Sequence, residues 1–169
     1  MAKINGVQLK AVKYFRGHEG ESCLQANIYM DIKGKCKKIG SVSEDTWSGE
    51  YDVTFDKEEY EKEFNKRRED YFKTHTSKFK DNTIFLYELR VLTDREKDFK
   101  KYMKKVDKWN KEAGKEIYKP YLVYVLFDDG RQVRAVWECP SEKAYQQVLA
   151  EQKPKQHLVY SDLKEFIIE

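Results

Sequence analysis

Apolar and polar positions alternate in short runs through the first third of the chain, then change to a spacing of three and four. Val7 to Arg16 and Ser22 to Asp31 are rich in β-branched and aromatic residues and read as strands, with Gly17-His18-Glu19-Gly20 as the turn between them. Lys33-Gly34-Lys35 marks a second turn, and Lys37 to Ser43 a third strand. From Glu50 to Phe55 the chain sets Glu50, Asp52 and Thr54 outward and Tyr51, Val53 and Phe55 inward, the period of two of a half-buried strand. An antiparallel β-meander is expected over this third.

Asp56 with Glu59 three residues on has the form of a capping box. Tyr60, Phe64, Arg67, Tyr71 and Phe72 follow at helical spacing, which predicts a helix from Lys57 to about Thr74. Ile84 to Leu92 fits either a buried strand or the start of a helix, and its period does not decide between them. Thr93 with Glu96 forms a second capping box, and Phe99, Met103, Val106, Trp109 or Asn110, and Ala113 predict a second helix that Gly114 closes.

Tyr121 to Phe127 and Gln132 to Glu138 flank Asp128-Asp129-Gly130 and predict a hairpin. Pro140-Ser141 opens a short helix that Pro154 stops, His157 to Tyr160 reads as a last strand, and Ser161 caps a terminal helix with Leu163, Phe166 and Ile167 inward. Runs of strands followed by runs of helices indicate an α+β fold. It comprises an N-terminal antiparallel β-meander, two charged amphipathic helices in the middle, and a C-terminal β-hairpin plus short helices. The chain reads as a single domain over 1–169, with 1–80 and 81–169 as its lobes if it divides.

Composition changes this picture little. Apolar residues make up 40% of the 169, enough for a packed core despite 37% charged residues. Charge placement matters more than the net +3. Residues 1–40 hold eight basic against three acidic groups, 41–55 hold Glu44, Asp45, Glu50 and Asp52 with no base, and 93–119 hold ten basic against six acidic. The three cysteines, Cys23, Cys36 and Cys139, form no CxxC pair and suit reduced thiols, with a Cys23–Cys36 bridge across a hairpin as the alternative. No stretch approaches the ~20 apolar residues of a membrane helix, and the N-terminus has no signal-peptide pattern. A cytoplasmic protein with no membrane association is the expectation.

Few residues are spaced for chemistry. His18, His75 and His157 are far apart, there is no GxSxG, and Gly34-Lys35 lacks the rest of a phosphate loop. No cofactor and no metal are implied. A metal-dependent nuclease would have to gather Asp128, Asp129, Glu138 and Lys143 from strand ends. Lys97, Lys101, Lys104, Lys108 and Lys111 fall on one side of the second helix, and Lys33, Lys35, Lys37 and Lys38 form a basic hairpin tip. Either would attract nucleic-acid phosphates, although a solvated helix face uses lysine in the same way. The segment Glu44, Asp45, Trp47, Glu50 and Tyr51 sets a tryptophan among acids in a turn. This is the composition of a protein-binding hot spot, unless Trp47 folds back over the sheet.

Gly17-His-Glu-Gly20, Asn27-Ile-Tyr-Met-Asp31, Lys38-Ile-Gly40 and Trp47-Ser-Gly49 together resemble the N-terminal part of small accessory proteins of phages and mobile elements, of the anti-defence, anti-CRISPR-like type. The resemblance covers the first third and brings no site residues. It implies an inhibitor that blocks a host defence effector, such as a CRISPR nuclease, by surface binding in the cytoplasm of a bacterial host. The expected partner is therefore a host protein or nucleoprotein complex. Direct nucleic-acid binding and metal-dependent nuclease activity are the alternatives.

Overall fold

The alternation of the first third produces a β-sheet, and the later periodicity produces three helices and a second sheet. The computed structural model describes residues 1–75, 77, 79–128, 130 and 132–169. Its fold is α+β, divided into two compact units: 1–94 with 166–169, and 95–165.

The first unit holds β1 (Lys3–Ile4), β2 (Val7–Arg16), β3 (Ser22–Ile32), β4 (Lys35–Glu44), β5 (Tyr51–Phe55), α1 (Glu58–Thr74), the opening turns of α2 (Asn82–Ala113), and β9 (Ile167–Ile168). Strand order is β5-β4-β3-β2-β1-β9. The meander β2 to β5 is antiparallel, as the alternation predicts, while β9 joins β1 in parallel through Lys3↔Ile167 and Ile4↔Ile168. Leu24, Ala26, Ile28 and Met30 of β3 alternate into the core. Two irregularities bend the sheet. Between Lys10 and Lys13 of β2 the register shifts beside Ala11, whose φ of 52° is left-handed. In β4, Ile39 is the extra residue opposite Ile28 and Tyr29, and it is fully buried. Beside it Gly40 admits no side chain, since a Cβ there would lie 2.1 Å from the Thr54 carbonyl oxygen.

Aromatic rings tie the helices of this unit together. Phe64 of α1 meets Phe55 of β5 at 5.2 Å and Phe85 of α2 at 5.5 Å, and Tyr71 reaches Phe85 at 5.7 Å. Arg67 fixes α1 to the strand ends: its guanidinium donates to the carbonyls of Asn5 and Asp31 and pairs with Glu63.

Several sequence expectations are corrected here. Asp56 does not cap α1; its N–H donates to the Ile39 carbonyl, and Lys57 stands at the cap position without a side-chain bond. Residues 84–92, left open between a strand and the start of a helix, take the helical alternative, and α2 runs unbroken from Asn82. Its start is marked by Asp81, whose carboxylate accepts from the Ile84 N–H. The Thr93–Glu96 box is therefore interior. Thr93 donates its hydroxyl to the Leu89 carbonyl, while Glu96, only 4% exposed, pairs with Lys100 at 2.7 Å. Buried Phe85, Leu86, Leu89, Leu92, Glu96, Phe99, Tyr102 and Val106 form one continuous stripe, in which Tyr102 takes the deep position expected of Met103.

The second unit contains the rest of α2, β6 (Tyr121–Leu126), β7 (Val133–Cys139), α3 (Glu142–Gln152) and β8 (His157–Tyr160), with strand order β7-β6-β8, all antiparallel. Val123, Val125 and Cys139 pack beneath Ala144, Tyr145, Val148 and Leu149 of α3. Ser141 caps α3, accepting from the Ala144 N–H as the sequence predicts. A 3₁₀ turn, Leu163–Phe166, stands where a terminal helix is expected. It buries Phe166, but Ile167 is exposed because it belongs to β9. The three cysteines are free thiols. Among the described residues no helix is long and apolar enough to cross a membrane.

Candidate partner-binding site

The meander directs the β2–β3 and β4–β5 turns to the same end of the sheet. The β4–β5 turn is built by Asp45. Its carboxylate accepts from the N–H groups of Trp47 (2.8 Å) and Ser48 (2.7 Å) and from the Ser48 hydroxyl, and Gly49 supplies the left-handed φ of 68° that lets the chain return. These donors, with the Ser48 and Trp47 amides foremost, hold the Asp45 carboxyl below the usual carboxylate range. The neighbouring turn is closed by Gly17 N–H donating to the Glu21 carbonyl at 2.8 Å.

These two turns bring Trp47 and His18 together, with ring centroids 4.3 Å apart. Trp47 remains 77% exposed. It does not fold back over the sheet. Glu50 beside it is also exposed, and Glu19, Glu21 and Asp52 leave acidic groups around the tip.

Beneath the tip lies a tight polar network. Arg90 of α2 donates to Glu44 at 2.8 Å, to the Tyr51 hydroxyl at 3.2 Å and to the Ser22 carbonyl at 3.2 Å. Glu44 also accepts from the Leu24 N–H at 2.8 Å. The guanidinium lies 5.0 Å from the Tyr14 ring centroid, and Tyr14 donates its hydroxyl to Asp94. Burial pushes the Tyr14 hydroxyl well above its ordinary value, and the Asp94 carboxylate pushes the same way. The adjacent Cys23 thiol is raised by burial and by the Glu21 and Glu44 carboxylates, so it is a poor nucleophile.

The five residues read from the sequence as one binding segment therefore separate by role. Trp47 and Glu50 face solvent. Asp45 shapes the turn, Glu44 binds Arg90, and Tyr51 is buried with its hydroxyl on Arg90. Sequence reading missed His18, Tyr14 and Arg90. The adjacent aromatics Tyr14-Phe15 near the end of a strand were the available signal for Tyr14, since alternation turns one of two neighbours outward.

The basic candidates lie elsewhere. Lys33, Lys35, Lys37 and Lys38 are all exposed around the β3–β4 turn, at the opposite end of the sheet from Trp47. Lys97, Lys101, Lys104, Lys108 and Lys111 are exposed on α2, where Lys101 lies 3.6 Å from Asp98 and Lys108 lies 3.8 Å from Glu112. Of the groups considered for a nuclease, Lys143 lies exposed on α3 and the two described carboxylates each hold a lysine of their own. Asp128 holds Lys155 and Glu138 holds Lys105, while Asp129 lies outside the described residues. Among the described residues no three histidines, cysteines or carboxylates are placed to hold a metal ion.

No family model matches the chain, and neither a curated protein nor a solved structure matches it.

Proposed function

We propose that this chain is a non-enzymatic binding protein that captures a macromolecular partner with the Trp47 tip. The observation that carries this reading is a tryptophan left 77% exposed on a turn whose backbone is fixed by Asp45 and whose flank is supported by His18. A rigid exposed indole anchors an interface at little entropic cost, because the turn is ordered before binding. The surrounding carboxylates favour a basic surface on the partner and speed encounter. A host nucleoprotein has such a surface where it grips nucleic acid. With the resemblance of the first third, this makes a defence effector such as a CRISPR nuclease the partner we propose.

The test is interference by a purified or co-expressed effector in the presence of the chain. The intact protein is expected to suppress target cleavage. Trp47→Ala is expected to weaken capture at least about tenfold, as for an interface hot spot, and Glu50→Ala by less. Both variants should keep the parent's melting temperature, since neither side chain is in the core. Capture that survives Trp47→Ala unchanged would refute the reading.

A second reading has one observation in its favour. Lys97, Lys104 and Lys111 recur every seventh position of α2, and among the described residues they have no carboxylate partner. A gel shift on DNA and RNA that weakens steeply between two salt concentrations, and is indifferent to Trp47→Ala, would favour that alternative.

A further inference from the structure

Strand β7 is an edge of the second unit's sheet, paired on one side with β6. Such a strand presents alternate backbone N–H and C=O groups outward, and natural proteins usually blunt it with lysine, proline or a covering element. This one confines such protection to its ends, with a bulge at Arg134 and a charge at Glu138. Val136 is 48% exposed and Trp137 40%, and the segment Val133–Cys139 contains neither lysine nor proline. The register shift between Val125 and Leu126 leaves Arg134 as the extra residue at the start of the strand, and from Ala135 to Cys139 the pairing is regular.

The sequence of this edge is complementary to itself. Laid antiparallel against a second copy with Val136 on the two-fold axis, Ala135 falls opposite Trp137 of the other copy, and Glu138 comes to the bulged end of that strand, where Arg134 stands. The large ring meets the small side chain on one face. At each end of the junction the Glu138 carboxylate, already bonded by Lys105 at 2.8 Å, nears the Arg134 cation of the other copy. Cross-strand pairs of these kinds are the stabilising unit of a sheet. A foreign strand would need no such symmetry.

We propose that β7 pairs with β7 of a second copy, joining two three-stranded sheets into one continuous sheet across a two-fold axis. The site is independent of the Trp47 tip, which lies in the other unit. The junction is short, so the dimer is weak and forms at high concentration.

Analytical ultracentrifugation of the full chain over a concentration series tests this. The wild type is expected to shift from monomer to dimer. Val136→Glu and Val136→Lys each set like charges face to face on the axis, and each is expected to weaken the dimer about tenfold or more. Mixed in equal amounts, the two variants should form a heterodimer, which no folding defect would produce. A wild type that remains monomeric to millimolar concentration would overturn the proposal and leave the edge for a strand of another protein. A dimer that both substitutions leave intact would overturn it equally.

Discussion

Asp45 carries more of the tip than its place among surface acids suggests. Three donors converge on its carboxylate, so the ionised form is what shapes the turn under Trp47. Its folded pKa is lowered, and the sign follows. The stabilisation is fully present above the ~3.9 of a free aspartate and is lost as pH falls through the lower folded value. The N–H resonances of Trp47 and Ser48 should therefore hold position through the ordinary aspartate range and move only below it. A midpoint at or above the free value would show that these bonds do not form in solution. The residue scale also explains what the sequence disclosed of the site. A tryptophan among polar neighbours in a turn was legible at Trp47. Glu44 and Tyr51 look the same in the sequence, but their inward roles depend on Arg90, which lies on an element the period did not resolve.

Among the elements, α2 is the most instructive. Its stripe steps by three and four through Phe85, Leu89, Leu92, Glu96 and Phe99. A glutamate interrupts the apolar pattern, and a threonine three positions earlier gives it the form of a helix start. Burial of Glu96 against Lys100 removes that ambiguity, and only the folded chain discloses it. The β-meander was legible because alternation is a local signal. β1 and β9 were not, because two residues cannot show a period. Arg90 joins α2 to β3 and β4, and both it and Glu44 are mostly buried, with side chains 17% and 16% exposed. Arg90→Ala should destabilise the first unit by about 2–3 kcal/mol, because it strands the Glu44 carboxylate. In urea unfolding, Arg90→Ala with Glu44→Ala together should cost less than the sum of the two. Strict additivity would mean that the pair contributes nothing.

At the scale of the whole molecule, the second unit is an excursion from the first: the chain leaves at Arg95 and returns at Phe166. Phe166 is fully buried and β9 completes the sheet order, so the returning residues belong to the first unit's stability. Phe166→Ala should lower that stability by about 3–4 kcal/mol. Hydrogen exchange should show faster exchange in β1 and β2, while β6 is unaffected. Unchanged protection in β1 would show that the return is dispensable.

The parallel partnership of Lys3 with Ile167 also sets a timetable. On the ribosome, the first strand emerges long before its neighbour is translated, and the whole of residues 95–165 must be synthesised in between. Until then β1 has an open flank, and closing it requires a contact of the longest sequence separation, the kind that forms slowly. A nascent chain stalled before Phe166 should therefore be the species most exposed to chaperones and to mispairing with its siblings.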